Sequence, residues 1–113
     1  MNKDIRSLEL EVNLLHERIC SALSDTKRIM IFYLLAEKDM FVNEISEALN
    51  TPQSTISRHL GILRQRSMVS TERRGTAVLY SLSDDRIIDV LNLMRAILND
   101  QIQAEAAITK STQ

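Results

Sequence analysis

Apolar residues recur at spacings of three and four at both ends of the chain. At the start, Ile5, Leu8, Val12, Leu15 and Ile19 form one continuous stripe, widened by Leu10, Leu14 and Leu23; that period predicts an amphipathic helix. Ser24 and Asp25 interrupt it and offer capping oxygens, after which Ile29, Met30, Phe32, Tyr33, Leu34 and Leu35 predict a second, largely buried helix. Beyond the turn "AEKDM", Val42, Ile45 and Leu49 place a short third helix in "VNEISEALN". Asn50 can end it in the left-handed conformation without a glycine. Thr51 is the expected N-cap of a fourth helix and Pro52 its first residue, because proline lacks the N–H that this position leaves unpaired. Two short helices across a tight turn make a helix-turn-helix.

Over residues 52–66 a helical period turns Ile56, Leu60 and Leu63 inward and Ser54, Ser57, Arg58, Gly61 and Gln65 outward. The outward face is flat and hydrogen-bonding, with Gly61 keeping its middle low, and this shape suits a helix entering a major groove. His59 lies nearer the inward side and is expected to shape this helix while touching phosphate. "VSTERRGTAVLYSL", residues 69–82, reads as two strands joined around Gly75, with Arg73 and Arg74 at the tip. A basic hairpin directly after a recognition helix is the layout of a wing.

Ser83 is expected to cap a last helix whose first turn carries Asp84 and Asp85. Its stripe of Ile87, Leu91, Met94 and Leu98 is broadened by Ile88, Val90, Ile97 and Ile102. Both terminal helices present more apolar surface than a small helix-turn-helix core can cover. The expectation is therefore a two-fold dimer formed through Leu8, Val12, Leu15, Ile87, Leu91, Met94 and Leu98, the alternative being that both helices pack inside one subunit. The fold class is mainly α with a small β-hairpin: a winged helix-turn-helix, dimeric through its N- and C-terminal helices. Residues 1–105 form the DNA-binding and dimerisation domain and 106–113 a flexible tail.

Composition sharpens this picture. A chain of 113 residues, 44% hydrophobic with two glycines and one proline, is expected to be one mainly helical domain. Without an apolar run of ~18 residues or a signal-peptide core it is expected to be soluble and cytoplasmic, with no membrane partner. The net charge is −1, yet residues 51–76 hold five arginines (Arg58, Arg64, Arg66, Arg73, Arg74) against Glu72, a local +4. A dimer with that excess would neutralise about eight phosphates, for a log–log salt slope near −7. Catalysis is not expected: the two histidines lie in unrelated segments and no glycine-rich phosphate loop exists.

"ALSDTKRIMIFYLL", "NEISEALNTPQSTISRHLGILRQRSMV" and "TERRGTAVLYSL" resemble the second helix, helix-turn-helix and wing of the ArsR/SmtB family of bacterial repressors, over roughly residues 19–82. The resemblance implies a homodimer on a double-stranded operator with inverted half-sites, blocking transcription. It also implies that Gln53, Ser54, Ser57 and Arg58 stand where the family makes base and phosphate contacts.

Family members commonly respond to metals or thiol oxidants. Where many carry two cysteines at the start of the third helix, this chain has Phe41 and Asn43 in "MFVNEI". Of the carboxylate and histidine set on the last helix it keeps Asp84, with Arg86, Ile97 and Asp100 at the remaining spacings; a guanidinium and an isoleucine cannot bind zinc. No cofactor is expected and the inducer stays unknown. Two alternatives remain open. His16 and Cys20, four apart, could supply soft ligands or a redox switch, although Cys20 falls within the apolar pattern and reads as a buried small hydrophobe. The broad apolar helices could instead dock a different protein, making the chain an interaction module.

Overall fold

The computed structural model describes residues 4–111. Helix α1 (Ile5–Leu15) runs into a π-helical turn (His16–Cys20) and a 3-10 turn (Ser21–Ser24), which together form a joint. Then come α2 (Thr26–Glu37), the short strand β1 (Met40–Phe41), α3 (Val42–Ala48), α4 (Gln53–Gln65), β2 (Val69–Arg74), β3 (Ala77–Leu82) and the long α5 (Arg86–Ser111). No described helix is long and apolar enough to cross a membrane.

Local chemistry sets most boundaries. Asp25 caps α2 by accepting from the Lys27 N–H at 2.8 Å. Glu44 closes the first turn of α3 by accepting from the Phe41 N–H at 2.9 Å. Asn50 ends the helix pair's first member with φ 47°, as its side chain allows. The start of α4 differs from expectation by one residue. Pro52 occupies the cap position, and Thr51 is buried, its hydroxyl donating to the Leu49 carbonyl at 2.9 Å. Ser83 likewise does not cap α5: it pairs with Ser70 at 3.1 Å, closing the hairpin base, and Asp84 accepts from the Arg86 N–H at 2.9 Å instead.

The sheet has the order β1-β3-β2, all antiparallel. The hairpin follows the sequence pattern, but β1 was not legible: two residues, Met40 and Phe41, pair with Tyr80 and Leu79, too few for any alternation to show. The core gathers Ile31, Phe32 and Leu35 of α2, Ile45 of α3, Ile56, Leu60 and Leu63 of α4, and Val69 of β2. At the root of α5, Tyr33 donates to Asn92 at 2.8 Å while Arg95 lies 5.3 Å from the Tyr33 ring centroid.

Two residues assigned to a dimer face belong to this core. Ile87 and Leu91 are buried within their own chain, because the apolar arc of α5 is wide enough for one edge to dock on α2. Leu8, Val12, Leu15, Met94 and Leu98 are exposed, joined by Val90, Leu93, Ile97 and Ile102. Helix α1 buries no residue at all. The radius of gyration is 17.9 Å, against about 13 Å for a compact domain of this length, since both terminal helices stand off the body. Residues 106–111, counted in the sequence as tail, continue α5; Thr112 and Gln113 lie outside the described residues.

Ser67 ends α4 with φ 61°, while the Met68 N–H returns to the Leu63 carbonyl at 2.9 Å. A left-handed residue with a side chain is disfavoured by roughly 1–2 kcal/mol. Ser67→Gly should therefore raise the urea midpoint by the equivalent of about 0.5–1 kcal/mol, and Ser67→Val should lower it, as β-branching makes that conformation worse.

Candidate nucleic-acid interface

Helix α4 is two-sided. Ile56, Leu60 and Leu63 are fully buried, and burial of such side chains contributes about 1.5–3 kcal/mol each. Gln53, Ser54, Ser57, Arg58, Gly61 and Gln65 are exposed on the opposite face. A Cβ built on Gly61 would meet nothing within 4 Å, so its own chain does not require a glycine there. The N-terminus of α4 has no side-chain cap, leaving first-turn N–H groups and the positive end of the helix dipole at the surface.

His59 is not on that face. It is 3% exposed, with Nδ1 3.2 Å from Arg28 Nη1 and Nε2 3.8 Å from Asp25 Oδ1, and a side chain so enclosed cannot reach a phosphate. Burial, followed by the Arg28, Arg58 and Lys27 charges and against the attraction of Asp25, holds its pKa below the usual histidine value. Arg28 itself is 9% exposed and was missed in the sequence, where it reads as a surface residue of α2. Its guanidinium donates from Nε to the Ala22 carbonyl at 2.9 Å and from Nη2 to the Ser21 carbonyl at 3.3 Å. No local signal marked it, since Arg28 follows Asp25, Thr26 and Lys27 at the polar start of α2 and the apolar run begins only at Ile29.

The basic cluster is partly spent internally. Arg66 turns back on the joint, donating to the Glu17 carbonyl and the Ser21 hydroxyl. On the wing, Arg74 is paired with Glu72 at 3.1 Å. Gly75, at φ 63°, and Thr76 form the two-residue turn between paired Arg74 and Ala77. Strand alternation sends Arg73 and Arg74 to opposite faces of the ribbon, so the two arginines at the tip do not form one patch.

His16 and Cys20 bracket the π-helical turn and both are exposed. Cys20 is thus no buried hydrophobe within this chain. Asp84 gives both carboxylate oxygens to Arg86, at 3.1 and 2.7 Å, and hydrogen bonds from that side chain pull its pKa down to about 2. Among the described residues no three His, Cys, Asp or Glu side chains are grouped to hold a metal ion.

The profile of the family described as "Bacterial regulatory protein, arsR family" matches residues 25–71, the span from the α2 cap into β2. The transcriptional repressor SdpR of Bacillus subtilis is 36% identical over 81 residues, 72% of this chain and 90% of that protein. The chain belongs to the ArsR family. The regulator KmtR of Mycobacterium tuberculosis is 35% identical over 65 residues, and there the match covers 58% of this chain but only half of the relative. Among solved structures, NolR from Sinorhizobium fredii superposes with a TM-score of 0.74 at 28% identity, over 86% of this chain and 96% of that one. This ArsR-family chain is accordingly a transcriptional regulator with a DNA-binding winged helix-turn-helix.

The open space at Gly61 separates fold from function at this face. Gly61→Ala should stabilise the protein by up to about 1 kcal/mol through helix propensity alone. Thermal melts of the two proteins check this, and a fall in melting temperature would mean that the helix is not seated as described.

Proposed function

We propose that the chain is a homodimeric, cytoplasmic repressor that binds an operator of inverted half-sites, reading bases through Gln53, Ser54, Ser57 and Arg58. The observation that carries this is the exposed polar face of α4 backed by the fully buried Ile56, Leu60 and Leu63. The uncapped helix start supports a phosphate contact there. Arg73 acts on the DNA backbone from the tip end of β2, where Arg74 is paired with Glu72. The exposed apolar surfaces of α1 and α5 supply the dimer interface, with Leu8, Val12, Leu15, Val90, Met94, Ile97 and Leu98 on it. The likeness to a protein named as a transcriptional repressor favours repression.

The usual metal sites of the family are absent in this proposal. Phe41 and Asn43 stand where cysteines would coordinate, and Asp84 is engaged by Arg86. Coordination by His16 and Cys20 gains no support from their π-helical turn, in which residues four apart no longer stack as in an α-helix.

With Arg66 folded back and Arg74 opposed by Glu72, three of the five arginines in residues 51–76 stay clear: Arg58, Arg64 and Arg73. A dimer then neutralises about six phosphates, and the log–log salt slope should be near −5 rather than −7. Arg58→Ala should cost roughly 1–3 kcal/mol and relax one base preference, while Arg73→Ala should weaken all sequences alike. Equal losses on every sequence for both variants would remove Arg58 from base readout. Sedimentation decides the assembly: the wild type should run as a dimer and Leu98→Glu as a folded monomer. A monomeric wild type would favour docking of a different protein on the same apolar face.

A further inference from the structure

The pair formed by Arg28 and His59 stands apart from the reading face and yet touches both halves of the molecule. We propose that Arg28 and His59 are positioning residues that lock the recognition helix α4 to the α1–α2 joint, and that protonation of His59 releases the lock and weakens DNA binding. This rests on the DNA-binding role of α4.

An arginine side chain carries donors only and keeps its charge in proteins. With Arg28 Nη1 at 3.2 Å, His59 Nδ1 is therefore the acceptor, and the ring is the neutral tautomer with its proton on Nε2. That N–H faces Asp25 Oδ1 at 3.8 Å, beyond hydrogen-bonding reach. A second proton would place an N–H on Nδ1 against the N–H of Arg28, two donors and two positive charges within a nearly closed site. The contact cannot survive that change.

The charged groups facing the ring are Asp25 at the α2 cap, Arg28 and Lys27 of α2, and Arg58 of its own helix. The other elements packed on α4, namely α3 and β2, meet the core with Ile45 and Val69. Asp25 favours the charged ring, but its side chain is 39% exposed and screened by water, whereas Arg28 is enclosed. Burial and the three cations together outweigh it.

The mechanical consequence follows from what else Arg28 holds. Its Nε and Nη2 bind the Ala22 and Ser21 carbonyls, and Nη2 also reaches Ser24 Oγ at 3.4 Å. These residues are the 3-10 half of the joint between α1 and α2. Helix α4 is tied to this joint at its middle by His59 and at its end by Arg66. Losing the middle tie while the buried Ile56, Leu60 and Leu63 stay seated lets α4 pivot about Arg66, so DNA loses its fit before the protein unfolds.

The sign with pH is fixed. A histidine whose folded pKa lies below its ordinary 6.5 binds more protons unfolded than folded, so stability is complete above about 6.5 and declines as pH falls through and below that value. Binding to the duplex that the wild type selects from a random pool at pH 7.5 should be compared at pH 7.5 and 5.5 and constant ionic strength. The wild type should lose affinity severalfold, and by less than about tenfold, because a free-protein pKa below 6.5 caps the linkage at pH 5.5. His59→Gln, which keeps an acceptor for Arg28 and cannot charge, should bind near the wild-type level at pH 7.5 and stay nearly flat. His16→Gln, altered at the exposed histidine, should follow the wild type. Equal pH profiles for wild type and His59→Gln overturn the proposal.

Long-range nitrogen–proton NMR of the wild-type ring gives a readout independent of any variant's folding. The neutral Nε2–H tautomer at pH 7.5 supports the lock, and an Nδ1–H tautomer or an imidazolium there sinks it. A wild type that selects no duplex would instead defeat the DNA-binding role, with NMR still deciding whether the pair exists.

Discussion

The polar face that this molecule offers for recognition is held by the seating of one short helix. Three aliphatic residues of α4, Ile56, Leu60 and Leu63, are removed from water entirely, and that burial fixes the rotation of the helix about its axis. Rotation decides which residues face out. With a period of 3.6, a turn of one residue would carry Ser57 and Arg64 into the buried slots of Ile56 and Leu63. The polar face is therefore set by the apolar one.

Around that seat the polar contacts make a second, directional layer. Hydrophobic burial fixes depth and rotation but has little angular preference, whereas hydrogen bonds from an enclosed guanidinium are directional. Arg28 and Arg66 supply them between α4 and the joint. A buried arginine is tolerable only when its donors are satisfied. Backbone carbonyls freed where α-helix gives way to π and 3-10 turns provide the acceptors, so the irregular joint and the enclosed charge explain each other.

Much of this architecture was legible from side-chain periodicity. Helix α4, its inward residues, the glycine-centred hairpin and the left-handed Asn50 all follow from rules that act within a few residues. What the sequence concealed was set by distant partners. His59 and Arg28 are both polar, and no local pattern says that they meet 31 positions apart. Strand β1 exists because β3 offers an edge beside Met40 and Phe41. Ile87 and Leu91 share a stripe with Met94 and Leu98, and only the docking of α5 on α2 separates buried from exposed members. The wing arginines read as one charged tip until register and alternation assigned them to different sides.

Strand β1 has a mechanical meaning of its own. By joining the residues just ahead of α3 to the middle of the wing, it splices hairpin and helix pair into one stiff reading head. Such a head has little internal slack through which a signal could separate wing from helix. The contact at which we propose control, between Arg28 and His59, lies instead at the neck of this head, where the irregular segment between α1 and α2 meets α4.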